Sequence, residues 1–373
     1  MTAPAPAPAA PAAAGAELAE ELWAAVVRGS EAAAAAAVFG ALAAGAGPES
    51  VLLDVIGPVQ ARVGLEWAAD RLTVAQEHAA TAINERVVAA LAHHPAVLAA
   101  GPGTTLGRVT VACVDGEWHA FPARLLAQVL TLRGWTVDYL GAQVPTPHLI
   151  EHLHRTGPAA LALSASLAPR LPTAHTAITA AQAVGVPVLA GGAAFGPGGR
   201  YARLLGADAW AADARGAADR LAAGLAAPVP GHQPIDDLPH LADQEYTLVG
   251  RSAPHLVRAV MAGLAERIPA VRDYTEEQLQ HTAEDVAHLV DFLAAALYTD
   301  DPELFGTFLS WTAGVLTARA VPAASLLPAV ALLRHELRDL PRAVAVLDHG
   351  RCAVAAAAGA PATAPTPEHG IPA

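Results

Sequence analysis

The stretch RVTVACVDGEWHAFPARLLAQVLTLRG, residues 108–134, decides the fold. Its first seven residues are a short apolar run rich in valine, which reads as a buried strand. After the turn DGEWHAF, the run FPARLLAQVLTLRG spaces its leucines for a helix and stops at a glycine. Strand, loop and helix in that order form the repeating unit of a parallel sheet, because neighbouring parallel strands need a crossover. The rhythm continues through TVDYLG (136–141), AALALSA (159–165), VPVLAGG (186–192) and ADAWAA (207–212), with helical runs such as PHLIEHLHRT (147–156) between them. The pattern predicts a five-stranded, doubly wound α/β domain over residues 104–228. Ligands of such sheets bind at the carboxyl ends of the strands.

On either side the pattern is helical, so the expected fold class is α/β plus all-α. Residues 17–103 read as a helix bundle with breaks at GAGPES (45–50) and HHPAV (93–97). The sequence TVAQ (73–76) is a capping box, which starts a helix near Thr73 and leaves Trp67 toward the end of the helix before it. Residues 244–359 form a C-terminal helical domain, with helices expected over APHLVRAVMAGLAERI (253–268) and from Asp301-Pro302-Glu303 onward. An arm (1–16), an acidic linker (229–243) and a tail (360–373) are the segments expected to lack packed structure, arm and tail being disordered.

Composition narrows the class of function. Hydrophobic residues are 54% of the chain and charged residues 15%, enough apolar material for several cores. Against 22 basic residues stand 35 acidic ones, a net charge of −13 that disfavours direct nucleic-acid binding and adhesion to anionic membranes. Cys113 and Cys352 have no disulfide or metal-site spacing, and the Ala/Pro-rich start lacks the order of a signal peptide. A cytoplasmic protein without a membrane span is expected.

The strand-end loops carry the candidate chemistry. Glu117 and His119 follow the first strand, where an acid can orient one imidazole nitrogen and leave the other for a metal; a solvated loop histidine is the plainer alternative. Ser164 and Ser166 follow the third strand with hydroxyl donors, and Gly191-Gly192 after the fourth lets backbone approach a flat group.

A helix bundle followed by an α/β domain with Glu-x-His, Ser-x-Ser and Gly-Gly-Ala at these turns resembles the cobalamin-binding module of methionine synthase, corrinoid proteins and light-sensing regulators. The resemblance covers roughly residues 17–225. It implies that His119 is the lower cobalt ligand, that Ser164 bonds the displaced nucleotide base, and that Gly191-Gly192 lines the channel of the cofactor's tail. Three positions depart from the common pattern: Glu117 replaces Asp, Pro122 replaces Gly, and Ser166 stands where Leu or Thr is frequent.

Within the cap, LEWAADRLTVAQEHAATA (65–82) holds Trp67, then nine residues, then Glu77-His78. That spacing resembles the photoreceptor branch of the family, and it implies that these three residues accommodate the adenosyl group of adenosylcobalamin. The residue after Trp67 is Ala68, so a second histidine on cobalt would have to be His78 or one from elsewhere. The trailing helical domain is similar in arrangement to photocobilins, which implies biliverdin as a second chromophore. His255, His281, His288, Tyr298, Trp311 and Arg334 are the candidate bilin residues, with Phe292, Phe305 and Phe308 as slot walls and Arg319 and Arg351 as further cations. With Cys352 the one cysteine there, non-covalent binding is expected.

The expected protein is a light sensor and not an enzyme, a homo-oligomer (dimer or tetramer) whose assembly responds to light, signalling to an unidentified protein partner. The rival reading is a corrinoid methyl carrier serving a methyltransferase, and a third is a scaffold that no longer binds cobalamin.

Overall fold

The computed structural model describes residues 11–99, 105–228 and 238–359. Four principal helices make the N-terminal bundle: α1 (Pro11–Val27), α2 (Glu31–Ala43), α3 (Gly57–Ala68) and α4 (Val74–Leu91). A wide π turn, Val51–Ile56, leads into α3. It runs up to Pro58 in the first turn of α3, which has no N–H to donate, so the missing rung falls where the ladder has already shifted. The Thr73 capping box is formed, with its hydroxyl accepting from Gln76 N.

The sheet is parallel, in the order β2-β1-β3-β4-β5. Its strands are β1 (Gly107–Cys113), β2 (Trp135–Gly141), β3 (Ala160–Ser164), β4 (Val188–Gly191) and β5 (Ala209–Trp210). Crossover helices are α5 (Phe121–Leu132), α6 (Thr146–Thr156) and α7 (Leu171–Ala183), and α8 (Ala214–Ala223) closes the unit. This is the flavodoxin-like order. Alternate residues of each strand enter different cores, as the period of two requires. Val109, Val111 and Cys113 pack with α5, α8 and the bundle, whereas Ala112, Leu161, Leu163 and Val188 pack with α6, α7 and the C-terminal helices.

The C-terminal domain comprises α9 (Glu245–Arg267), α10 (Glu276–Thr299), α11 (Pro302–Ala318), α12 (Leu327–Glu336) and α13 (Pro341–Gly359). Among the described residues no helix is long and apolar enough to cross a membrane.

Several boundaries differ from the sequence reading. Residues 11–16, assigned to the disordered arm, begin α1: proline suits a first turn and the alanines that follow favour a helix. Residues 1–10 of the arm, 229–237 of the linker and the whole tail lie outside the described residues. The rest of the linker contains a 3₁₀ turn, Pro239–Asp243. Helix α9 begins eight residues before Ala253 and carries Pro254 in its interior. Its first turn is anchored from both ends: Asp243 accepts from Glu245 N, and the buried Glu245 carboxylate accepts from Arg342 N and Ala343 N at the start of α13. Those bonds outweigh the rung that Pro254 removes.

Candidate functional site

β1, β3 and β4 end in register, Cys113 beside Ser164 and Ser164 beside Gly191. The histidine loop, the serine loop and the diglycine therefore leave the sheet at one level. Gly192 is held at φ +101°, and a Cβ there would lie 2.3 Å from the Ala165 carbonyl oxygen. Only glycine lets these two loops close on each other. Gly191 is less constrained, with Ala211 O 3.8 Å from an added Cβ.

Glu117 is the hub of the loops. It is fully buried, and its two oxygens divide four donors. Oε1 accepts from His119 N (2.9 Å) and lies 2.6 Å from His119 Nδ1, while Oε2 accepts from Ser166 N (2.7 Å) and Leu167 N (3.0 Å). Burial pushes its pKa up, but the bonds from His119 and Leu167 outweigh burial and hold it below the ordinary carboxylate value. A carboxylate at Nδ1 keeps the proton on that nitrogen, so Nε2 retains the lone pair that can ligate a metal. The departure from Asp has a local reason: the longer side chain ties the histidine loop to the serine loop.

His119 is buried and the ring of the exposed Trp118 stacks on it at 3.8 Å. Cys113 Sγ donates to His119 O at 3.9 Å; burial, with the Glu117 charge, pushes that thiol up to about 12. Pro122, at a glycine position of the motif, occupies the first turn of α5, where no N–H is needed. The Ser166 hydroxyl is buried with no hydrogen-bond partner among the described residues, while Ser164 is buried at the end of β3.

His119 lines a cleft of about 410 Å³ between the α/β domain and the bundle. On the α/β side stand Trp118, His119, Phe121, Pro122 and Leu125. Helix α3 contributes Gly57, Gln60, Ala61 and Gly64, a face with three small residues that leaves room for a flat group. Helix α4 contributes Glu77, His78, Thr81, Ala82 and Glu85. Glu77 is buried; it accepts from Thr81 Oγ1 and pairs closely with His78 Nδ1.

Trp67 is placed differently from Glu77 and His78. It ends the small-residue face of α3, yet its ring packs 6.4 Å from the ring of Trp311 on α11. Arg319 lies over it at 5.2 Å and donates to the carbonyls of Trp67 and Ala68. The two residues expected to share one ligand with Trp67 therefore line the cleft, and Trp67 joins the cap to the C-terminal domain.

The residues named for a bilin are not brought together. His255 is exposed beside Glu336, and Arg334 pairs with Asp348, as does Arg351. His281 lines a shallow groove with Tyr274 and Asp285, and His288 is exposed further along α10. Tyr298 is buried against the α/β domain, bonded to His175 Nδ1 at 2.8 Å, and Trp311 meets Trp67. Phe292 stacks on Phe308 at 3.7 Å and Phe305 is fully buried, so the expected slot walls form packed core.

Sequence reasoning missed Gln60, Thr81, Asn84 and Trp118. Thr81 and Asn84 follow Glu77 at helical spacing, which was a readable signal; Gln60 reaches them only through the fold.

A helical cap over the strand ends of a flavodoxin-like sheet, with one acid-oriented histidine between them, defines a two-domain holder for a flat, metal-centred cofactor. Two family models match, each described as a B12 binding domain, one over residues 107–222 and one over residues 18–92. Together these regions form a cobalamin-binding module. Among solved structures, the chain is similar to the monomethylamine corrinoid protein of Methanosarcina barkeri (19% identity, 55% of this chain and 97% of that one, TM-score 0.46). It is also similar to the methanol:cobalamin methyltransferase complex of the same organism (16%, 60% and 88%, TM-score 0.31). A third similar structure is a cobalamin-binding protein of Desulfitobacterium hafniense DCB-2 (17%, 55% and 95%, TM-score 0.31). A comparison with curated proteins finds no match.

Proposed function

We propose that the chain is a light-responsive sensor that holds adenosylcobalamin between the cap and the α/β domain and passes a change of cap packing to its C-terminal helices. The observation that carries this reading is the junction at Trp67, where one residue of the α3 face meets Trp311 and Arg319 of the C-terminal domain. Bound adenosylcobalamin supplies a cobalt–carbon bond weak enough for visible light to break. The chain supplies the rest. Glu117 fixes the His119 tautomer so that Nε2 would be free to hold cobalt, the small face of α3 would admit the macrocycle, and Glu77 and His78 stand on the opposite wall. A shift of α3 moves Trp67, and Trp67 bears on α11. The output is a change of homo-oligomeric state, dimer or tetramer, read by a protein partner in the cytoplasm and not by catalysis. Biliverdin in the C-terminal domain follows from the photocobilin resemblance alone, since the residues named for it stand apart.

A corrinoid methyl carrier is the second reading. It is favoured by the Trp67 ring lying outside the residues that line the cleft, which leaves the wall opposite His119 without a tryptophan.

The test is dark reconstitution with adenosylcobalamin, then green light, with absorption spectra and size-exclusion chromatography before and after. A bleach with a shifted elution volume supports the sensor. Bound cobalamin with unchanged assembly favours the carrier, and an unaltered cobalamin spectrum in His119→Ala refutes the ligand.

A further inference from the structure

The Glu117 bond settles one freedom of the His119 ring and leaves another. It joins Nδ1 to Oε1 at 2.6 Å and so decides which nitrogen carries the proton. It does not fix the plane of the ring. The outer torsion of a histidine side chain is broad, and the imidazole can tilt about the line from Nδ1 to its acceptor. The Nε2 lone pair lies in the ring plane, so a metal is met only when that tilt is held as well.

Trp118 supplies the second constraint. Its ring centroid lies 3.8 Å from that of the imidazole, at an interplanar angle of 29°. A stacked ring covers a face and leaves the in-plane lone pair free, so the indole restrains His119 without competing for Nε2. Its exposure points away from a packing role: Trp118 is 52% exposed, between Glu117 at 0% and His119 at 7%. Along the same wall of the cleft, Phe121 and Leu125 are buried in the core that α5 shares with the bundle, whereas Trp118 and Pro122 stay open. The indole is therefore held by the ring it stacks on and by the cleft, and adds little to the interior of the domain.

We infer that Trp118 is a positioning residue for His119: the indole holds the plane of the imidazole and the Glu117 carboxylate holds its tautomer, and both are needed to direct Nε2 into the cleft. This rests on the cobalamin reading above and adds a residue to it.

The experiment compares wild type, Trp118→Ala and Trp118→Phe, each as the full chain, in two states. Without cofactor, proton NMR reads the stack. The His119 ring protons should be shifted upfield in wild type and in Trp118→Phe, which keeps an aromatic face, and should lie at ordinary positions in Trp118→Ala. With cob(II)alamin bound, electron paramagnetic resonance reads ligation. In protein labelled with the heavy isotope of nitrogen in histidine, a protein imidazole on cobalt splits the lines in two, whereas the cofactor's own base splits them in three. Wild type should show the twofold pattern. Trp118→Ala should lose much of it and bind cobalamin about tenfold more weakly, the worth of one aromatic stack. Trp118→Phe should restore both. A Trp118→Ala protein with the full twofold pattern overturns the positioning role, whatever its affinity. Wild-type His119 ring protons without an upfield shift overturn it too, because the stack is then absent. In both cases cobalamin binding itself stands. A wild type that binds no cobalamin refutes the cobalamin reading, and the positioning role with it.

Discussion

Glu117→Gln removes one charge and exchanges one acceptor oxygen for a donor, with little change of shape. In the native site each Glu117 oxygen faces two donors, one pair from His119 and the other the amides of Ser166 and Leu167. The amide oxygen can serve only one pair, and the new NH₂ confronts the other. If the oxygen keeps the serine loop, His119 can answer by moving its proton to Nε2, so that Nδ1 accepts from the new amide. The His119 N–H still loses its acceptor, and Nε2 can no longer ligate. If the oxygen keeps His119 instead, the amides of Ser166 and Leu167 are both orphaned. One or two buried donors left without partners cost about 1–6 kcal/mol, at about 1–3 each. Urea unfolding at pH 7 measures this as a lower midpoint at unchanged slope. Acid sensitivity should fall as well. The folded pKa of Glu117 lies below its unfolded value of about 4.3, so its contribution is full above that value and lost as pH falls through the folded pKa. The variant lacks this component, and its stability should vary less below about pH 5. A loss under about 1 kcal/mol together with an unchanged pH profile would refute the hub role of Glu117.

Gly192→Ala should destabilise by about 3–5 kcal/mol, because the left-handed φ and the Ala165 carbonyl both oppose a Cβ; a urea midpoint near wild type would contradict this. Arg319→Ala should cost about 1–3 kcal/mol by removing two charge-assisted bonds to the last carbonyls of α3. Hydrogen exchange should accelerate at residues 65–70 before it does elsewhere in the cap, and uniform acceleration would show that Arg319 acts on global stability alone.

What was legible in the sequence depends on the range of the interaction. The five strands were readable because parallel strands are buried on both faces and so become short apolar runs. Glu117 and His119 were readable because the acid and the imidazole it orients are two residues apart. The partner of Trp67 was not: Arg319 caps its carbonyl from 252 residues away, and no local pattern records that. Gln60 was hidden for the same reason, since its bonds to Thr81 and Asn84 join two helices. Pro254 misled in the opposite sense. The local rule breaks a helix there, but the buried Glu245 fixes the first turn of α9 from α13, a constraint the local rule does not see.

The C-terminal domain touches both domains that form the cleft. It reaches the α/β domain through Tyr298 with His175, and through Asp301, which accepts from Tyr201 Oη at 2.7 Å and pairs with Arg200 at 2.8 Å. It reaches the cap through Trp311 and Arg319. A rigid body pinned to both domains resists their separation, because moving them apart must break one of the two contacts. The contacts differ in kind. The α/β side has a buried hydroxyl–imidazole bond, a buried tyrosine and an apolar core shared with the sheet. The cap side has one partly exposed arginine and a tilted pair of tryptophans. The weaker contact yields first, so the C-terminal domain stays with the α/β domain and the seam that opens lies between α3 and α11.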